Sequence, residues 1–305
     1  MRTLSLTLVL VYYQNIHLSW NPTLFKYRTS THAFWPKNQG PVDDTFNCGE
    51  SPQYVMTLSD QAIQNEASIW ILISRHVTKQ EQEGSEEVKD YLTVHLHRND
   101  KNKERIFYSR SKQNVLTGAY TNNPHCLCRY DVSDPADKFL SIVLSQYEKS
   151  HDLAYTLQVF CTEPFSLSRP AKELPFSRSF TSSWTQVNAG GPIGKKTFYT
   201  NPMFAVDVPN GGTTIQVECM CPKTLAVNVM LVPVESYGRR VTKVKADPPV
   251  DSGNYRHGFV VTKRACIEAG FYSLIVSNYS PGETGNFRVK ISSSVKLARI
   301  DEIMS

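Results

Sequence analysis

The side chains in this 305-residue sequence able to do chemistry are its seven cysteines, its eight histidines, scattered aspartates and one basic cluster. A cysteine nucleophile of the papain type needs a thiolate paired with histidine, an Asn or Asp to orient that histidine, and an oxyanion donor. Cys48 sits in an Asn-Cys-Gly loop, Cys161 follows a predicted strand, and Cys266 stands between Ala265 and Ile267. None of these settings activates a thiol, so the expectation is no catalytic residue. For zinc, His95 and His97 share a strand face, His125, Cys126 and Cys128 form an HCLC cluster, and Cys219 and Cys221 repeat the C-x-C spacing. Zinc sites use wider spacings closed by a second ligand pair, whereas C-x-C on a strand puts two small apolar side chains on one face. Packing is therefore the expectation, with no metal site. Calcium is the one ion left open, through the loop carboxylates of Asp43, Asp44, Asp134 and Asp137.

Charge offers a different kind of site. Arg239, Arg240, Lys243 and Lys245 alternate with Val241 and Val244, a pattern suited to an interaction patch. Such a patch attracts anionic phospholipid or an acidic protein partner, including the chain's own Glu81, Glu83, Glu86 and Glu87. The competing reading is a solvated strand face or loop.

The elements that must position these residues come in duplicate. WPKNQGPVDDTFNCGESPQY from Trp35 and WTQVNAGGPIGKKTFYTNPMF from Trp184 each pass from a tryptophan through a Gly-Pro turn to a proline, with an aromatic two positions later. The tryptophan-to-proline spacing is 17 positions in one and 18 in the other. FLSIVLSQY from Phe139 and FYSLIVSNY from Phe271 match again, with Phe, Ser and Tyr at offsets 0, 6 and 8 and an aromatic ten positions beyond the Ser, at Tyr155 and Phe287. Two anchors in the same order indicate two whole duplicated domains. Between the first tryptophan and the shared Ser the first copy is longer, 110 positions against 93, an excess assigned mostly to the charged stretch Thr78–Asp90.

Within the copies, Tyr54–Leu58, Ala67–Ser74 and the cleanly alternating YLTVHLH from Tyr91 read as strands. RIFYS from Arg105 reads as the return strand of a hairpin. TTIQVECM from Thr213, TLAVNVMLVPV from Thr224 and GFVVTK from Gly258 read as strands of the second copy. Asn21 to Gly40 reads as a connecting loop, and the Pro-rich stretch from Cys161 as a linker. No segment keeps a helical period, so the fold class is all-β.

The pattern W…AGG…TFYTNPMF, together with GFYSLIVSNYSPGETGNFRVKIS from Gly270, resembles the β-sandwich domain that follows the protease core in calpains. A tandem pair of such domains resembles the PalB-type, calpain-7-like branch. The resemblance implies two tandem antiparallel calpain-type β-sandwiches, a first at 30–162 and a second at 181–300. A linker would fill 163–180, the end of a protease core and connector 1–29, and a short tail 301–305. VYYQNIHLSWNPTLF looks like the last strand of that core, which would place Met1 inside a larger protein. It further implies a cytoplasmic, regulatory part of a cysteine endopeptidase, with a protease core or other proteins as partners. The family's catalytic Cys, His and Asn have no counterparts here; Asn21 after Trp20 aligns with the exit from the core.

Bulk properties agree. The length suits two domains of about 125–150 residues. Net charge is only +5 and the aromatics are not interleaved with a basic stripe, so nucleic acid is not an expected partner. An odd cysteine count speaks against a disulfide framework and for a reducing compartment. The apolar run Leu4–Val11 has no small-x-small site after it and is too short to span a bilayer. A free-standing binding module remains the second reading, and a secreted adhesive sandwich the third.

Overall fold

The computed structural model describes residues 25–37, 47–77, 91–109, 111–147, 151–244 and 247–303. The chain divides into two compact units, Met1–Ala171 and Lys172–Ser305.

In the first unit the strands are β1 (Tyr27–Trp35), β2 (Gln53–Leu58), β3 (Ser68–Arg75), β4 (Tyr91–Arg98), β5 (Asn114–Thr117), β6 (His125–Asp131), β7 (Phe139–Tyr147), β8 (Leu153–Cys161) and β9 (Phe165–Ser168). A short helix, α1 (Asp60–Gln64), follows β2 and is capped by the Ser59 hydroxyl, which accepts from the Ala62 amide. Two sheets form, in the orders β1-β8-β3-β6 and β5-β4-β7-β2-β9, and every pairing is antiparallel. Alternation dictates the core. Ile69, Ile71 and Ile73 of β3 face Leu92, Val94 and Leu96 of β4 and Leu140, Ile142 and Leu144 of β7 in one buried cluster. Each such side chain contributes roughly 1.5–3 kcal/mol relative to exposure.

The second unit comprises β10 (Phe176–Trp184), β11 (Met203–Val208), β12 (Thr213–Met220), β13 (Ala226–Val234), β14 (Val250–Asp251), β15 (Arg256–His257), β16 (Phe259–Val261), β17 (Ala265–Ile267), β18 (Gly270–Asn278), β19 (Gly285–Ser293) and β20 (Arg299–Ile303). Its sheet orders, β10-β19-β12-β16 and β14-β13-β18-β11-β20, reproduce those of the first unit strand for strand. Here β17 also pairs with β12, and β15 with β13. The duplicated anchors fall on equivalent strands. Trp35 and Trp184 close β1 and β10, and the Phe-Ser-Tyr motifs are carried by β7 and by β18 with the residue after it. The protein is two antiparallel β-sandwiches in tandem.

The AGG motif has a steric origin. A Cβ on Gly190 would lie 2.1 Å from the Thr197 carbonyl oxygen, and Gly191 has φ +74°, a conformation other residues rarely adopt. Asn201, fully buried, accepts from the Gly190 amide and donates to the Gly191 and Phe198 carbonyls. The loop is thus fastened to the turn ahead of β11.

Four expectations need correction. Asn21 to Gly40 is not simply a loop, and the first sandwich begins before residue 30: β1 pairs with β8 over nine positions. Ahead of the buried Trp35 its side chains are mostly exposed and polar, so the strand forms mainly through main-chain pairing and shows no hydrophobic alternation. The stretch 163–180 supplies β9 and most of β10, because Pro164, Pro170 and Pro175 lie outside those strands. The expected tail at 301–305 contributes Asp301, Glu302 and Ile303 to β20, which pairs with β11. RIFYS makes only an isolated bridge, Tyr108 to Asn47, and β4 pairs with β5 instead. The side-chain amide of Gln53 takes the place of a strand there: Nε2 donates to the Ile106 carbonyl at 2.7 Å and Oε1 accepts from its amide at 2.9 Å.

Candidate interaction surface

The basic segment lies over the outer face of the sheet containing β13, β18 and β11. That face carries Met203, Met230, Val232 and Ile275, too apolar to be left in water. Phe198, from the 3₁₀ turn Lys196–Thr200, and Val241 cover it in a satellite core, with Val244 and Tyr199 at its margin. The alternation of cations with valines therefore reports a strap whose valines point inward.

The cations are used unequally. Arg240 donates from Nη2 to the carbonyls of Tyr199 (3.0 Å), Thr200 (3.3 Å) and Asn201 (3.0 Å), and from Nη1 to that of Ile303 (3.2 Å). It thereby binds the carbonyl end of the 3₁₀ turn, where backbone acceptors lack partners in the turn itself. Burial pushes the Arg240 pKa below its ordinary value, but an arginine stays charged. Arg239 forms an ion pair with Glu235, and its own carbonyl accepts from the Ser273 hydroxyl at 2.7 Å. Lys243, Arg239, Glu235 and Asp247 line a cleft of about 390 Å³ in which both signs meet. Lys245 lies outside the described residues, as do Glu81 to Glu87, Asp43 and Asp44. Replacing Arg240 with alanine strands several carbonyls and is expected to destabilise the second unit by roughly 2–3 kcal/mol. Lys243→Ala should stay within about 0.5 kcal/mol. Urea melts of the two variants check this, and equal effects would show that Arg240 is not the anchor.

Cys126, Cys161, Cys219 and Cys221 lie in settings that keep their thiols protonated. No cysteine forms a disulfide among the described residues, and five of the seven are buried. Cys126 and Cys128 occupy the core face of β6, where the hydrogen bond to Cys128 and burial push the Cys126 thiol up. Burial raises Cys161 and Cys219 as well, and takes Cys221 to about 11. A thiol held up in this way is a poor nucleophile at neutral pH. His125, on the opposite face of β6, is exposed, and its Nδ1 lies 2.9 Å from the Ser74 hydroxyl, so the HCLC cluster does not converge. Among the described residues no group of three or more His, Cys, Asp or Glu is disposed to hold a metal. Asp137 is engaged by Arg98, Tyr130 and two backbone amides, and Asp134 by Arg98 and the Ala136 amide.

His95 and His97 are both buried on the outer face of β4. Register makes their placement pointed. His95 lies opposite Val143 and His97 opposite Ser141; on the matching strands of the second unit, Met230 lies opposite Ile275 and Val232 opposite Ser273. Two imidazoles thus stand where the duplicate has Met and Val. The Nδ1 of His97 is 3.4 Å from the Ser111 hydroxyl, and the His95 ring packs edge-on to Tyr120. Burial, aided by the neighbouring His95, lowers the His97 pKa from 6.5 to about 4. Because the folded value is the lower one, the unfolded chain binds the proton first as pH falls. The first unit should therefore lose stability between pH 6.5 and 4, by up to about 1.4 kcal/mol per pH unit for one proton. His95→Met with His97→Val should flatten that part of the melting-temperature profile; an unchanged slope would assign the acid sensitivity elsewhere.

No helix among the described residues is long and apolar enough to cross a membrane. No family model matches the sequence. It is 29% identical over 293 residues to mouse calpain-7, covering 94% of this chain and 34% of calpain-7. It is 28% identical over 297 residues to the calpain-like protease palB/RIM13 of Aspergillus oryzae, covering 94% and 33%. The chain thus spans about a third of the length of the curated relatives it matches. Among solved structures, a tandem CBM22 domain of Paenibacillus barcinonensis Xyn10C covers 88% of this chain and 93% of its own, at 12% identity and a TM-score of 0.22.

Proposed function

We propose that this calpain-7-like, PalB-type chain serves as the non-catalytic, partner-binding and regulatory region of a cytoplasmic calpain-like cysteine endopeptidase. The observation that carries the reading is the match along 94% of the chain to one third of proteins named as calpain-7 and calpain-like protease. The buried, high-pKa thiols support a non-catalytic role for this third, and the odd count of seven cysteines supports a reducing compartment. Arg239 and Arg240 are already engaged by protein groups. A protein partner therefore suits the surface better than anionic phospholipid, and the role needs no cofactor. Calcium binding would have to draw on carboxylates other than Asp134 and Asp137.

The test is a chimera in which this chain replaces the aligned third of mouse calpain-7, compared with a calpain-7 deletion lacking that third. The chimera should keep substrate cleavage that the deletion loses, and the isolated chain should leave casein intact with or without calcium. Turnover by the isolated chain that Cys48→Ser abolishes, or a chimera no better than the deletion, would refute the proposal.

A further inference from the structure

Edge strands of natural sheets are normally blunted by shortness, proline, bulges or several charges. In the second unit three edge elements follow that rule: β14 has two residues, β16 three, and β20 five with Arg299, Asp301 and Glu302 among them. β10 does not. It is nine residues long, contains no proline, and carries one charge, Arg178. Its register with β19 runs without a break from Phe176↔Ser293 to Trp184↔Gly285, and it ends the sheet order, so no strand among the described residues pairs with its other side.

A second feature lies beside this edge. Thr181 of β10, Arg288 of β19 and Met220 of β12 stand in one row across three strands. They line a shallow cleft of about 680 Å³ that also includes Ser183 and Asn286. In the adjacent row Lys290 meets two carboxylates, Glu173 at 3.6 Å and Glu218 at 3.5 Å. Arg288 is exposed and makes no ion pair among the described residues. One cation on this face is neutralised and its neighbour is not.

We propose that the outer edge of β10 accepts an extended peptide segment of a partner protein, which adds as a further strand and presents a carboxylate to Arg288. An added strand lies about 4.8 Å from β10, and its alternate side chains fall on the outer face beside Ser179, Thr181 and Ser183. Arg288 is one strand further in, within reach of an Asp or Glu at such a position. Main-chain bonds supply the affinity and the charge supplies the selection. A second copy of this chain is the poorer occupant, since β10 itself holds no carboxylate and would leave Arg288 unmatched.

The inference rests on reading the chain as a partner-binding region. Its test reads binding by this chain alone, so it fails or succeeds separately from the chimera. The probe is a ten-residue peptide of alternating Thr and Val with one central Glu, compared with the same peptide carrying Lys. Fluorescence anisotropy should show the Glu peptide binding about ten-fold tighter, and Arg288→Glu should reverse that preference. Hydrogen exchange should slow at Phe176–Trp184 in the presence of the Glu peptide. Equal affinity for both peptides, no binding, protection confined to other strands, or self-association that Arg288→Glu leaves unchanged would each overturn it.

Discussion

Replacing Trp184 with alanine is expected to cost the second sandwich about 3–5 kcal/mol, the range for deleting a buried aromatic. The side chain is 1% exposed, its ring centroid is 4.5 Å from that of Phe287, and its Nε1 donates to the Val276 carbonyl at 3.0 Å. It therefore links the end of β10 to the centre of β18 and to β19. The loss should appear as a fall of about 10–20 °C in one of two calorimetric transitions. The other transition should stay in place, because each unit closes its own buried cluster. Trp184→Phe keeps an aromatic ring but removes the donor to Val276, so it should cost about 1–3 kcal/mol. If both transitions fell together under Trp184→Ala, the two sandwiches would be one cooperative unit.

That tryptophan was readable because it recurs. Trp35 and Trp184 close equivalent strands, and the motifs beginning at Phe139 and Phe271 mark equivalent central strands. A duplicated core leaves duplicated large side chains in the sequence, and strands with one buried face leave alternation, as Leu92, Val94 and Leu96 do. Elements held mainly by main-chain bonds leave much less. Ahead of the tryptophans that close them, β1 and β10 are largely exposed edge strands rich in Ser and Thr, so proline content outweighs a pairing that their own residues do not announce. The interaction surface was legible only in part. The run from Arg239 to Lys245 stood out as charge, but the carbonyls that hold Arg240 belong to residues 39 to 63 positions away. A local pattern cannot reveal that such a cation is already engaged. Nor could the sequence show that His95 and His97 replace Met230 and Val232, since that comparison needs the registers.

Asp137 stands in the first sandwich as Trp184 does in the second, with charge in place of apolar area. The residue is fully buried. Its Oδ1 accepts from Arg98 Nε at 2.7 Å, and its Oδ2 from the Tyr130 hydroxyl at 2.8 Å and the Ser133 and Asp134 amides at 3.1 Å. With these bonds it ties the end of β4 to β6 and to the turn that leads into β7. Burial alone would raise its pKa, but Arg98, the Ser133 amide and Tyr130 together hold it below the ordinary carboxylate value of 3.8. A folded pKa below the unfolded one means the contribution is fully present above about pH 4 and is lost as pH falls through the folded value. Asp137→Ala is therefore expected to destabilise the first unit by about 3–5 kcal/mol at pH 7, because it leaves a hydroxyl and two amides without their acceptor and Arg98 without its main partner. At pH 2 to 3 the gap between wild type and variant should narrow as the native carboxylate takes up its proton. This window lies below the one assigned to His97, so the two effects separate in a single series of melts. A gap that stays constant down to pH 2 would mean that Asp137 acts through packing and not through its charge.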